Sequence, residues 1–124
     1  MMTDQRQRVM EIMNSLTGVS VREKKGKQLK YYIHLTEEMA RTTIEALDLS
    51  QRSHNCLMRA GFNTVGDICE AVASGKSLMS LRNCGIRSVR EIQEKLFLLQ
   101  YNSLNEAERE KYLAEVVRVN LVRQ

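Results

Sequence analysis

No proline and no tryptophan occur in these 124 residues, and only two phenylalanines, four tyrosines and three cysteines do. Each shortage excludes something. Without proline there are no polyproline segments, so helices and turns must be delimited by side-chain caps and glycines. No apolar run approaches the roughly 20 residues that a membrane helix needs, and the amino terminus has no signal-peptide core. The expectation is a soluble, cytoplasmic protein with no membrane partner. Cys56, Cys69 and Cys84 lie 13 and 15 residues apart, without the close pairs that zinc and redox sites use. They read as buried small hydrophobes. His34 and His54 form no recognisable metal-ligand spacing with cysteines or acids, so no metal ligand and no cofactor is expected.

What is present is a sequence that is 43% hydrophobic with a net charge of +4. That suffices for one modest core with appendages. The surplus of positive charge is +3 over residues 1–43, +1 over 44–101 and zero over 102–124. Such a surplus permits nucleic-acid binding only if the basic residues converge on one face.

Periodicity then divides the sequence. Val9, Ile12, Met13 and Leu16 recur at helical intervals, predicting an N-terminal helix that ends near Gly18. The period changes to two in "QLKYYIHL", where Leu29, Tyr31, Ile33 and Leu35 alternate with polar positions, and Val19 and Val21 alternate before "EKKGK". This reads as a β-hairpin with Gly26 in its turn. Tyr31 and Tyr32 beside "KKGK" fit a solvated hairpin tip with one tyrosine packed inward better than a second nucleic-acid surface. Thr36 caps a helix in "EEMARTTIEAL" with Met39, Thr43 and Leu47 on one side.

Ser50 opens "QRSHNCLMRA", which Gly61 closes. Thr64 and Asp67 form a capping signature ahead of "VGDICEAVA", Gly75 ends that helix, and "SLMSLR" supplies a short helical turn. In "LRNCGIRSVREIQ", Gly85 frees the backbone for a tight connection, positive φ included, and Ser88 with Glu91 then reads as a capping box. After "YNS", Ser103 and Glu106 cap a final helix with Leu113, Val116, Val117 and Leu121 on one face. Its valines also fit a strand.

The result from Ile44 to Tyr101 is two helix-turn-helix units back to back. "LDLSQRSHNCLMRAGFNTVGDI" followed by "RNCGIRSVREIQEKL" resembles the carboxy-terminal domain of the bacterial RNA polymerase α subunit, over about 58 residues. The expected fold is mainly α: a compact helix-hairpin-helix domain of four to five helices over 44–102. An N-terminal helix and small β-hairpin occupy 1–43, and a C-terminal amphipathic helix occupies 103–124. The resemblance implies contact with the minor groove of A·T-rich duplex DNA, and contacts with sigma factor, transcription activators or RNA polymerase. It places Arg52 on the principal DNA-reading arginine, Asn55 and Cys56 on its neighbours, and Gly85, Arg87 and Ser88 on the residues that meet phosphate.

The residues agree with that chemistry. Arg52 and Asn55 are three apart and share a helix face. A guanidinium suits the negative potential of a narrow A-tract groove, and an amide can bond minor-groove acceptors. Backbone N–H groups after Gly85 can hold a phosphate at a helix start. There are departures from the family pattern. Ile86 stands where a second basic residue is common, Cys84 replaces a leucine, and "AVASGKSLMS" is about two residues longer than usual, lifting Lys76 toward solvent. Glu45 and Asp48 retain part of the acidic surface that meets sigma factor in the family, while Ala46 stands where an acid is frequent.

The α subunit's amino-terminal assembly domain has no counterpart in residues 1–43, so the reading is of a free-standing homologue. A single such module buries about 600–1,000 Å² and binds weakly. Residues 1–43, with a strand edge, and 103–124 are therefore the expected surfaces for self-association or partner docking. A reading of another class is a protein-interaction module that binds sigma factor, an activator or another polymerase-associated protein without DNA. A repair enzyme built on helix-hairpin-helix units is disfavoured, because too few residues remain for a catalytic cleft.

Overall fold

A computed structural model describes residues 3–16, 21 and 29–121, with the side chain of Leu121 excepted. Its α-helices are α1 (Asp4–Met13), α2 (Glu37–Arg41), α3 (Gln51–Arg59), α4 (Val65–Ala73), α5 (Ile86–Ser103) and α6 (Glu106–Leu121), with single 3₁₀ turns at Ile44–Leu47 and Leu78–Ser80. Among the described residues no helix is long and apolar enough to cross a membrane, and no group of His, Cys, Asp and Glu is placed to hold a metal ion.

Contacts divide the protein into two compact units, residues 33–99 and residues 1–32 with 100–124. In the first, Ile44, Leu57, Val65, Ile68, Val89 and Ile92 form the centre of one hydrophobic cluster. α2, placed by its sequence in the N-terminal extension, packs on α4 in this unit. Gly66 makes the approach close: a Cβ there would lie 2.8 Å from the Ala40 carbonyl oxygen.

The single helix expected over 37–47 is two pieces. Thr36 caps α2 by accepting from the Met39 N–H, but Thr42 is extended and Thr43 forms an isolated antiparallel bridge with Thr64. The Val65 N–H donates to the Thr42 carbonyl at 2.8 Å and the Ile44 N–H to the Asn63 carbonyl at 3.0 Å. Two adjacent β-branched residues propagate a helix poorly, and here the next hairpin takes their backbone groups. The backbone re-enters a 3₁₀ turn that ends at left-handed Asp48, φ 52°.

The expected terminations of α3 and α4 are present as Schellman motifs. At Gly61, φ 85°, the Gly61 and Phe62 N–H groups return to the Met58 and Leu57 carbonyls. At Gly75, φ 97°, the Gly75 and Lys76 N–H groups return to Val72 and Ala71. The Thr64–Asp67 capping box opens α4.

In the other unit α1 contacts α6, and Val9, Ile12, Met13, Leu113, Val116 and Val117 are buried. α1 stops at Met13, and Asn14 bonds the Val21 backbone through both ends of its amide. The expected β-hairpin is corrected: Val19 and Gly26 lie outside the described residues, and residues 29–35 form no strand. The backbone groups of Lys30 and Tyr32 go to side chains of α6 instead. Asn120 accepts from the Lys30 N–H at 2.8 Å and donates to the Lys30 carbonyl at 2.9 Å, and the Tyr112 hydroxyl donates to the Tyr32 carbonyl at 2.7 Å. Burial, with the nearby Glu115 charge and Tyr31, pushes the Tyr112 hydroxyl well above the usual tyrosine range.

The cap of α6 is also corrected. Asn105 and Glu108 exchange reciprocal hydrogen bonds at 2.9 and 3.0 Å, whereas Ser103 closes α5 by donating to the Gln100 carbonyl. α6 remains helical to Leu121, so the valines are not a strand.

Candidate nucleic-acid interface

Residues 33–99 contain a cleft of about 860 Å³ lined by α3, the turn at Asn83 and the start of α5. Arg52, Asn55 and Arg59, at i, i+3 and i+7, form the α3 wall, because that spacing keeps side chains on one helix face. Gly85, Ile86, Arg87 and Ser88 form the other. Five of the six residues assigned to DNA from the sequence are thus brought together. Among the described residues, no carboxylate lines this cleft.

The start of α5 differs from the sequence reading. The helix begins at Ile86, and the Gly85 carbonyl accepts the first helical bond, from the Val89 N–H at 3.0 Å. Gly85 is therefore the N-cap residue and Ser88 lies inside the first turn, so the Ser88–Glu91 capping box does not form. Nor does Gly85 have positive φ; left-handed Asn83, φ 61°, makes the turn. Space around Gly85 is open, with no atom within 4 Å of where a Cβ would stand. The first turn of α5 contains no acid, and its N–H groups form the positive end of the helix macrodipole, which attracts anions.

Glu91 instead serves α3. Its carboxylate accepts from the Ser50 N–H at 2.8 Å, from the Ser50 hydroxyl at 2.7 Å, and from the Ser53 hydroxyl. Burial pushes its pKa up, but the hydrogen bonds from Ser53 and Ser50 and the Lys95 charge outweigh this and hold it below the usual glutamate value. The acid that would repel phosphate is thereby turned into the helix start that carries Arg52. Gln51 donates to the Asn55 Oδ1 at 3.1 Å, which leaves the Asn55 N–H donors directed to other acceptors.

Cys56 is the exception among the assigned residues. It is buried, does not line the cleft, and forms a disulfide with buried Cys84 at a Cα–Cα distance of 5.6 Å. The bond ties α3 to the residue before Gly85 and corrects the reading of all three cysteines as unpaired. Cys69 is free, and burial pushes its thiol pKa up. Glu45 and Asp48 are exposed on and after the Ile44–Leu47 turn and do not line the cleft. Sequence reasoning missed Gln51, Arg59 and Asn83; the i+7 spacing of Arg59 from Arg52 was the available signal.

Comparison with known proteins gives a match over residues 33–97 to the family of the C-terminal domain of the bacterial RNA polymerase alpha subunit. DNA-directed RNA polymerase subunit alpha of Clostridium botulinum (strain Hall) is 50% identical over 60 residues, 48% of this protein and 18% of the relative. The subunit of the same description from Alkaliphilus oremlandii is 48% identical over 60 residues, with the same coverage. That of Carboxydothermus hydrogenoformans is 41% identical over 80 residues, 64% of this protein and 23% of the relative. The protein spans about a fifth of the length of these relatives. No solved structure matches it.

Proposed function

The protein belongs to the family of the C-terminal domain of the bacterial RNA polymerase alpha subunit, and from that premise we propose that it is a transcription-associated, DNA-binding protein that contacts the minor groove of A·T-rich duplex. Arg52 enters the groove, where the potential is most negative over A-tracts. Asn55 donates to the adenine N3 and thymine O2 acceptors or to the sugar-phosphate edge. Gly85, Arg87 and Ser88 hold a backbone phosphate: Gly85 permits close backbone approach, the first turn of α5 supplies N–H donors, and Arg87 supplies charge. Cys56 acts from beneath, by fixing α3 against the turn.

The single observation that carries this reading is the convergence of Arg52, Asn55, Gly85, Arg87 and Ser88 on one cleft without a carboxylate. Glu45 and Asp48 form the proposed contact for a basic surface of sigma factor, on a turn outside that cleft. Neither reading requires a catalytic group.

Fluorescence anisotropy of a labelled A-tract duplex against a G·C duplex, at two salt concentrations, tests the proposal. The intact protein should prefer the A-tract, with affinity falling as salt rises. Arg52→Ala should abolish the preference at a cost of about 1–3 kcal/mol. A folded sample with no affinity for either duplex at low salt would overturn it and favour a protein partner.

A further inference from the structure

A second cleft, of about 660 Å³, adjoins the first, sharing Arg59 and Asn83 with it. Lys76, Ser80 and Arg82 complete its polar lining. Among the described residues, three cations face this concavity and no carboxylate does. Among the described residues, none of the three is held in an ion pair. The backbone fixes where they stand. The Gly75 Schellman motif bonds the Lys76 N–H to the Ala71 carbonyl and leaves the side chain exposed. Leu81 is buried, so its neighbour Arg82 is directed outward, and Asn83 then turns the backbone toward Gly85.

Cations gathered on one concave surface repel one another, and an anion relieves the repulsion. Guanidinium forks match phosphate oxygens in bidentate geometry, and a lysine ammonium adds a point charge. A duplex presents phosphates in continuous series, so a basic cleft adjoining a phosphate site is placed for the next phosphates of the same backbone. We propose that the Arg59–Lys76–Arg82 cleft is a second DNA-backbone site that extends the footprint of this protein beyond the phosphate at Gly85–Ser88. This rests on the DNA-binding reading above. The site carries no base-edge reader and contributes affinity without sequence preference.

The test is the salt dependence of anisotropy for the intact protein, Lys76→Ala/Arg82→Ala, the charge-keeping Arg82→Lys, and Arg52→Ala, each on A-tract and G·C duplexes, with circular dichroism to confirm folding. Lys76 and Arg82 line only the second cleft, so their removal leaves the first intact. The double variant should weaken both duplexes alike, roughly tenfold, and reduce the slope of log affinity against log salt by about 2, one for each cation removed. Arg82→Lys should keep the slope of the intact protein, and Arg52→Ala should change the A-tract preference instead. An unchanged slope in the double variant, while the intact protein binds, overturns this site and leaves the DNA-binding reading standing. If the double variant loses only the binding of a poly-glutamate probe, the cleft belongs to an acidic protein partner and the proposal fails. Absence of DNA binding by the intact protein overturns both readings together.

Discussion

The two helix-hairpin halves of residues 33–99 solve the same local problem in opposite ways. In the first, α4 begins with a threonine and an aspartate that satisfy its free N–H groups internally, and a nearby cleft is lined by Asp67 and Glu70 with no cation. In the second, α5 begins at a bare glycine, its nearest glutamate is drawn away to Ser50 and Ser53, and the cleft is lined by arginines. A helix start closed by its own carboxylate is a structural joint. One left open beside cations is an anion site. The difference is why the proposed phosphate site falls on only one of two similar hairpins.

The sharpest way to break this comparison is through the core that both halves share. Ile68→Ala and Ile92→Ala, each fully buried, should each cost about 3 kcal/mol in denaturant unfolding. Equal losses would show that the halves are structurally equivalent, and a negligible loss in either would refute the common core.

The glycines separate the halves next. Gly66→Ala puts a methyl against the backbone of Ala40 and should destabilise by about 2 kcal/mol. Gly85→Ala meets open space and should alter stability by under about 0.5 kcal/mol. Its cost should fall on DNA affinity, several-fold, because the methyl stands in the path of the proposed phosphate. Reversed behaviour of the two variants would contradict the contrast between joint and open site.

Smaller effects belong to the caps. Thr64→Ala should cost about 1 kcal/mol. Asp67 gives the first half a pH signature. The Asn63 and Thr64 backbone N–H groups, with the Thr64 hydroxyl, outweigh burial and hold its carboxyl below the ordinary value of 3.8. Its stabilisation is therefore fully present above that pH and is lost as pH falls through the lower folded value. Asp67→Asn should flatten this part of the acid unfolding profile, and an unaltered profile would remove the assignment.

Much of this was legible in the sequence because it rests on short-range rules. Ser50, Gly61, Thr64 with Asp67, and Gly75 declare their caps within a few residues, and the structure has each. Two failures are local, the α6 cap, which falls to Asn105 and Glu108 instead of Ser103 and Glu106, and the left-handed turn, which falls to Asn83 instead of Gly85; the others involve a distant partner. Thr42 and Thr43 leave the helix because the Asn63–Val65 backbone bonds them, and Ser88 loses Glu91 because Ser50 and Ser53 receive it. Residues 29–35 carry a strand's alternation, yet Asn120 and Tyr112 take backbone groups that a strand neighbour would have held. Two of three cysteines pair across 28 residues, a separation without a local signature.

For the candidate site, helical spacing alone puts Arg52, Asn55 and Arg59 on one face, and the resemblance names their counterparts across the turn. The sequence by itself determined most of the helices, the caps at Ser50, Gly61, Thr64 and Gly75, and the residue types that suit DNA, since these follow from neighbours three to seven positions apart. Only the tertiary structure decided that Glu91 turns away from the cleft, that Arg59 joins two basic clefts, and that the start of α5 stays open. Those outcomes depend on which chemically competent partner the fold brings within reach, and packing selects among partners that sequence spacing leaves equivalent.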